Sequence, residues 1–185
     1  MRMRHAPSLK RLILDRVTVQ WVPGTPHRGR LWAGGVMFAC ALGRSGIRQI
    51  KRERDGATPV GRYRGLAGFW RADRLMRPRG FLPLAPIAEA AGWCDDPGDR
   101  NYNKPVLLPY PAGAENMRRQ DGLYDIVVDL AWNRGPIRKG RGSAIFLHVA
   151  AADYGPTEGC IALSRTDLRK LLARIGPRTV FEVRR

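Results

Sequence analysis

SAIFLHVAAADYGPTEGCIAL, running from Ser143 to Leu163, delivers one histidine and one glycine-flanked cysteine to what should be a single spot. Its first half, SAIFLHVA, has the β-branched and aromatic content of a buried strand, with His148 near the C-terminal end. Cys160 follows twelve residues later, within Thr157-Glu158-Gly159-Cys160-Ile161-Ala162-Leu163. Between the two, Asp153-Tyr154-Gly155-Pro156 is rich in residues that fold a chain back on itself. A cysteine–histidine pair is therefore permitted. A thiol with a free pKa of about 8.5 is only a few per cent thiolate at neutral pH, so a nucleophilic cysteine needs a base or a positive charge nearby. His148 is the candidate base. Gly159 allows a tight backbone there, leaving the Gly159 and Cys160 N–H groups as candidate oxyanion donors. The opposing reading makes Cys160 a small core residue and His148 a structural strand residue.

Working outward, the residues after the cysteine carry their own signal. Ser164-Arg165-Thr166-Asp167 has the logic of a capping box, and Leu168, Leu171, Leu172 and Ile175 form an apolar stripe at helical spacing that Gly176-Pro177 stops. Thr179 to Val183 reads as a final strand. Upstream, Arg11 to Val19 alternates well enough for a first strand. Arg30 to Leu42 reads as a hairpin or bulged strand with Gly34-Gly35 at the turn or bulge. Short strands are expected at Ile47–Lys51 and Gly61–Gly65, around the loop Arg54–Pro59, and another at Phe69–Met76. Leu84–Trp93 reads as a short helix or a loop, Ala114–Gln120 as one or two helical turns, and Leu123–Leu130 and Ser143–Val149 as strands. The pattern is mainly β, a sandwich or partly closed barrel with one C-terminal helix before the last strand. With 185 residues and 44% hydrophobic content, the chain is most simply one domain, and residues 1–10 form a basic leader.

The sequence around the cysteine resembles the active-site signature of the L,D-transpeptidases of the YkuD type. In that family a strand-ending histidine is followed by a loop and Ser/Thr-His-Gly-Cys-Ile/Val-Arg/Asn-Leu. Thr157, Gly159, Cys160, Ile161 and Leu163 match, and His148 takes the place of the upstream base. Glu158 stands where the family usually has a second histidine, and Ala162 where it has Arg or Asn. GIRQIKRERDGATPVGRYR, from Gly46 to Arg64, is similar to the family segment G-x-x-x-K-x-E-G-D-G-x-T-P-x-G-x-F/Y. WCDDPGDRNYNKPV, from Trp93 to Val106, resembles a compact, Arg-rich branch. Together the matches cover most of residues 31 to 183.

The resemblance implies crosslinking of peptidoglycan stem peptides through a cysteine thioester, or trimming of them as a carboxypeptidase or amidase. It also implies acylation by carbapenem-type β-lactams and needs no cofactor or metal. Thr157, Glu158, Tyr154 and Arg141 are candidate substrate contacts, with Arg138 and Lys139 beside Arg141. Glu158 reads either as the partner of one of the many arginines or as a contact for the free amine of a diaminopimelate side chain.

The 33 basic and 16 acidic residues give a formal charge of +17, which argues for a polyanionic neighbourhood without identifying it. An anionic membrane or lipopolysaccharide surface, nucleic acid and peptidoglycan all satisfy it, as does compositional bias. A non-catalytic basic module holding an anionic cell-wall polymer is the rival reading. No helix-turn-helix, zinc finger or aromatic-basic stacking pattern supports nucleic acid. The three histidines and the lack of a C-x-x-C pair argue against structural zinc, and Pro97-Gly98 within Asp95–Asp99 suits a solvated turn better than a calcium loop. The three cysteines, Cys40, Cys94 and Cys160, leave an odd thiol. If Cys160 is the nucleophile, Cys40 and Cys94 remain to pair in an oxidising compartment, although Cys40 lies in an apolar run that suits the core. The N-terminus is basic like a signal peptide's, but Asp15-Arg16 ends its apolar stretch, and no run reaches the length of a membrane helix. The implied substrate nevertheless points to the periplasm or cell envelope. Oligomeric state is left open.

Overall fold

The computed structural model describes residues 13–185, and the basic leader lies outside them. Alternation builds the first hairpin. β1 (Arg16–Val22) turns Val17 and Val19 inward, and β2 (Thr25–Ala33) does the same with Leu31 and Ala33. Gly34 and Gly35, with φ of 56° and 83°, make the tight turn into β3 (Val36–Ala41), because both positions need the left-handed region. Next come β4 (Ile47–Arg48), β5 (Thr58–Pro59), β6 (Gly61–Trp70) and β7 (Leu84–Pro86). They are followed by β8 (Ala91–Cys94), β9 (Pro105–Leu107), β10 (Ala114–Asn116), β11 (Ile126–Leu130), β12 (Ile145–Val149) and β13 (Ile161–Leu163). α1 (Arg165–Leu172) and β14 (Val180–Arg184) end the chain.

The main sheet runs β11-β12-β13-β3-β2-β1-β14-β6, and an antiparallel β6–β11 pairing closes these eight strands into a ring, with β7 added beside β6. Closure removes exposed sheet edges. The mainly β architecture with a late helix is the expected one, and the barrel is closed rather than partly open. Inside the ring lie Val17, Leu31, Val128, Leu147 and Phe181, joined by Leu168, Leu171 and Leu172 of α1. Ser164 caps that helix, its hydroxyl accepting from the Asp167 N–H at 3.1 Å and donating to the Asp167 carboxylate at 2.8 Å. A separate sheet, β10-β8-β9, covers the outside of β11 and β12, trapping a second apolar cluster of Trp93, Met117, Tyr124, Val127 and Phe146.

Several local expectations change. Ile13–Asp15 are not strand, because the Leu14 N–H and C=O are engaged by Arg174 and Thr179, and the first strand starts at Arg16. Phe69 and Trp70 finish β6, after which the Arg71 N–H bonds to the Asp125 carbonyl and the Arg71 guanidinium clasps Asp73, so no strand continues to Met76. Leu84–Trp93 holds β7 and most of β8 rather than a helix. Ala114–Asn116 is strand because it pairs with Gly92, Trp93 and Cys94. Trp93 and Trp70 are buried, as expected of core anchors. Cys40 and Cys94 are free thiols on different sheets, Cys40 facing the ring interior, so no disulfide joins them. The Asp95–Asp99 segment folds on itself, the Asp96 and Asp99 carboxylates accepting from the Gly98 and Asn101 N–H groups at 2.8 and 2.6 Å.

Candidate active site

β12 is buried along its whole length. Ile145, Leu147 and Val149 point into the ring, so Phe146 and His148 project to the opposite face, beneath the small sheet. β13 runs parallel to it with Leu147 beside Ile161 and His148 beside Ala162. That register sets Cys160 next to Phe146, whose N–H donates to Sγ at 3.3 Å. Both His148 and Cys160 line one cavity of about 480 Å³.

Thr157 fixes the turn before the cysteine. Its backbone is locked to the end of β3 by an N–H bond to the Leu42 carbonyl and by its own carbonyl accepting from Arg44, each 2.9 Å. Its hydroxyl donates to the Cys160 carbonyl at 2.7 Å and accepts from the Gly159 N–H at 3.2 Å. The Gly159 N–H is therefore occupied, whereas the Cys160 N–H meets no acceptor among the described residues. Of the two backbone donors expected for an oxyanion, the second is the free one. Gly159 has a φ of +133°, and a Cβ there would lie 2.6 Å from the Ala57 carbonyl oxygen, so only glycine fits. Ala57 belongs to the Arg54–Pro59 loop, which Asp55 holds by accepting from the Arg52 and Ala57 N–H groups and from the buried Lys51 ammonium at 2.6 Å.

His148 is oriented by a backbone carbonyl. Its Nδ1 sits 2.8 Å from the Val149 oxygen, which can only accept, so Nδ1 carries the proton and Nε2 keeps the lone pair. The Tyr124 ring meets the imidazole edge-on at 5.2 Å. Burial lowers the His148 pKa to about 4, against the opposing pull of the Val149 carbonyl. Burial likewise pushes the Cys160 thiol up to about 12, with the Glu115 charge adding and the Phe146 N–H, Lys51 and Arg119 opposing. The resting pair is neutral thiol and neutral imidazole.

Of the residues singled out in the sequence, Cys160, His148, Thr157 and Glu158 line the cavity, and Gly159 is buried beneath it. Glu158 is exposed and pairs with Arg44, which also donates to the Arg54 carbonyl at 3.0 Å. Tyr154 and Arg141 are outside the lining. The Tyr154 ring lies under the Arg28 guanidinium at 5.7 Å, and Arg141 is exposed, its carbonyl taken by the Trp132 indole N–H at 3.1 Å. Other lining residues were not singled out. Glu115 accepts from the Tyr124 hydroxyl at 2.8 Å and from Arg119 at 3.3 Å. Glu53 accepts from Tyr102 and, at 3.2 Å, from Ser143. Glu53 and Asp95 lie within the two upstream segments quoted for the family resemblance, a signal that would have found them. Glu115, Arg119 and Tyr124 lie in neither.

A comparison with curated proteins finds no match. Among solved structures the chain is similar to L,D-transpeptidase 1 of Mycobacterium tuberculosis, with 14% identity, a TM-score of 0.40 and coverage of 91% of this chain and 61% of that one. It is similar to L,D-transpeptidase 3 of the same organism, with 14% identity, a TM-score of 0.40 and coverage of 91% and 61%. A third structure, of L,D-transpeptidase 3 in complex with a faropenem-derived adduct, has 17% identity, a TM-score of 0.39 and coverage of 91% and 60%. The chain thus spans about three-fifths of the length of those structures. The model of the L,D-transpeptidase catalytic domain, YkuD, matches residues 20–183, nearly the whole sequence, and the chain belongs to that family.

Proposed function

We propose that this chain is a cysteine-dependent L,D-transpeptidase that crosslinks peptidoglycan stem peptides in the periplasm or cell envelope. One observation carries the reading: Cys160 and a carbonyl-oriented His148 open onto the same cavity. In the first half-reaction Sγ bonds to the carbonyl carbon of an L-centre while its proton passes to His148 Nε2. Because the site disfavours both a resting thiolate and a resting imidazolium, proton transfer accompanies attack rather than preceding it. The oxyanion takes the free Cys160 N–H, a donor of the kind typically worth about 3 kcal/mol. Collapse breaks the scissile C–N bond, the His148 proton leaves with the departing amine, and a thioester remains. An incoming amine, deprotonated by His148, then attacks the thioester and returns the thiol.

With water as acceptor the same steps give carboxypeptidase or amidase action. The cavity lining mixes the carboxylates Glu53, Asp95, Glu115 and Glu158 with the cations Lys51, Arg54 and Arg119, which suits a peptide that carries both ammonium and carboxylate groups. A faropenem-derived adduct on a related structure supports β-lactam acylation of Cys160 here. The test is incubation of peptidoglycan sacculi with wild type, Cys160→Ala and His148→Ala, followed by muropeptide chromatography. New crosslinked dimers only with wild type are expected. Shortened stems without dimers would assign the hydrolytic outcome, and conversion by Cys160→Ala would remove the mechanism.

A further inference from the structure

The outer face of the ring far from the cavity has a different chemistry. In ring order β12 and β1 stand four strands apart in either direction, as do β13 and β14, so the outward faces of β1 and β14 point away from the cavity. Five arginines project there: Arg16 from β1, Arg30 from β2, Arg62 and Arg64 from β6, and Arg184 from β14. All five are exposed, while their chain neighbours Val17, Leu31, Tyr63 and Val183 fill the interior. At about 4.8 Å per strand, three steps from β2 to β6 confine them to a patch roughly 15 Å across.

Charge on this patch is poorly compensated. Glu182 is shared by three guanidiniums, Arg184 at 2.6 Å, Arg16 at 3.6 Å and Arg62 at 3.8 Å. Arg30 and Arg64 have no ion-pair partner among the described residues. Beside the arginines, the β2–β3 hairpin exposes apolar side chains. Trp32 is 43% exposed and Met37, its cross-strand partner, 46%, with Val36 45% exposed at the hairpin end. Trp32 also faces Thr18, one strand from Glu182 and its arginines.

A soluble polyanion would satisfy the guanidiniums but leave Trp32, Met37 and Val36 in water. An anionic bilayer surface meets both demands, presenting phosphates to arginine forks and an acyl boundary in which tryptophan and methionine are sheltered. Stable anchoring typically takes two such signals together. We propose that this face docks on a bilayer of anionic phospholipid headgroups, with the Cys160 cavity directed away from the membrane. The proposal is independent of the reaction assigned to that cavity.

The test is cosedimentation of the full chain with vesicles of phosphatidylcholine alone or mixed 3:1 with phosphatidylglycerol. Wild type is expected on the anionic vesicles only. Arg30→Glu/Arg64→Glu should weaken binding at least tenfold, and Trp32→Ser/Met37→Ser at least fivefold, both variants keeping the wild-type unfolding temperature and Cys160 alkylation rate. Brominated anionic lipid should also quench wild-type tryptophan emission, a readout that needs no variant to fold. Absence of binding to anionic vesicles overturns the proposal. So does binding indifferent to the Trp32/Met37 change with equal affinity for inorganic polyphosphate, which would identify a soluble polyanion instead.

Discussion

Gly159→Ala adds one methyl group at the most constrained point of the site. With φ at +133°, an alanine there is strained by about 1–3 kcal/mol from backbone conformation alone. Its Cβ would sit 2.6 Å from the Ala57 carbonyl oxygen, a backbone atom that Asp55 and the adjoining loop hold in place. Relieving that overlap costs a further 1–3 kcal/mol or so, by analogy with overpacked cores. The expected loss is about 2–6 kcal/mol, which for a chain of this size lowers the unfolding midpoint by roughly 4–24 °C. Because Thr157 ties Gly159 and Cys160 into one turn, the thiol should also leave the Phe146 N–H and alkylate at a changed rate. Thermal unfolding by circular dichroism, with iodoacetamide labelling of Cys160 followed by mass spectrometry, reads both effects. Gly155→Ala is the control, since its Cβ would meet only the Asp153 carboxylate, at 3.3 Å, and it should shift the midpoint by no more than about 2 °C. A Gly159→Ala midpoint equal to the control's, with unchanged labelling, would refute the packing argument.

Three other outcomes are expected. Burial raises the Asp129 pKa from 3.8 to about 6, and its Oδ1 has no hydrogen-bond partner among the described residues. The stability this carboxyl contributes is full below about pH 4 and lost as pH rises through about 6, a change of about 3 kcal/mol that chemical denaturation should show in wild type and not in Asp129→Asn. Labelling of Cys160 by iodoacetamide should climb about tenfold per pH unit up to pH 10; a plateau near pH 7 would mean a resting thiolate. Ser164→Ala removes the helix cap of α1 and should cost about 1 kcal/mol, or roughly 2–4 °C in the midpoint.

The features legible in the sequence were those set by neighbours along the chain. Gly34-Gly35, the Ser164 cap and the Leu168, Leu171, Leu172 stripe each declare a local geometry, and the structure has all three. Likewise, one strand, one turn and one tight glycine brought His148 and Cys160 to the same cavity. The misread segments depend on distant partners. Ala114–Asn116 has no strand character of its own and becomes β10 only through Gly92, Trp93 and Cys94. Glu115 and Tyr124 reach the cavity because the small sheet folds over β11 and β12, a contact that no local spacing encodes. Tyr154 and Arg141 lie outside the cavity lining although Gly155 and Ser143, close to them in the chain, belong to it, because Tyr154 meets the Arg28 guanidinium and the Arg141 carbonyl accepts from Trp132, contacts that no local spacing encodes.

A nucleophilic Cys160 is tested by intact-mass spectrometry of the purified protein after incubation with a carbapenem, run on wild type, Cys160→Ala and His148→Ala. One equivalent of covalent adduct is expected on wild type, mapped by peptide digestion to Cys160, none on Cys160→Ala, and slower formation on His148→Ala. An adduct that persists in Cys160→Ala, or a folded wild type that forms none, would rule out Cys160 as the nucleophile.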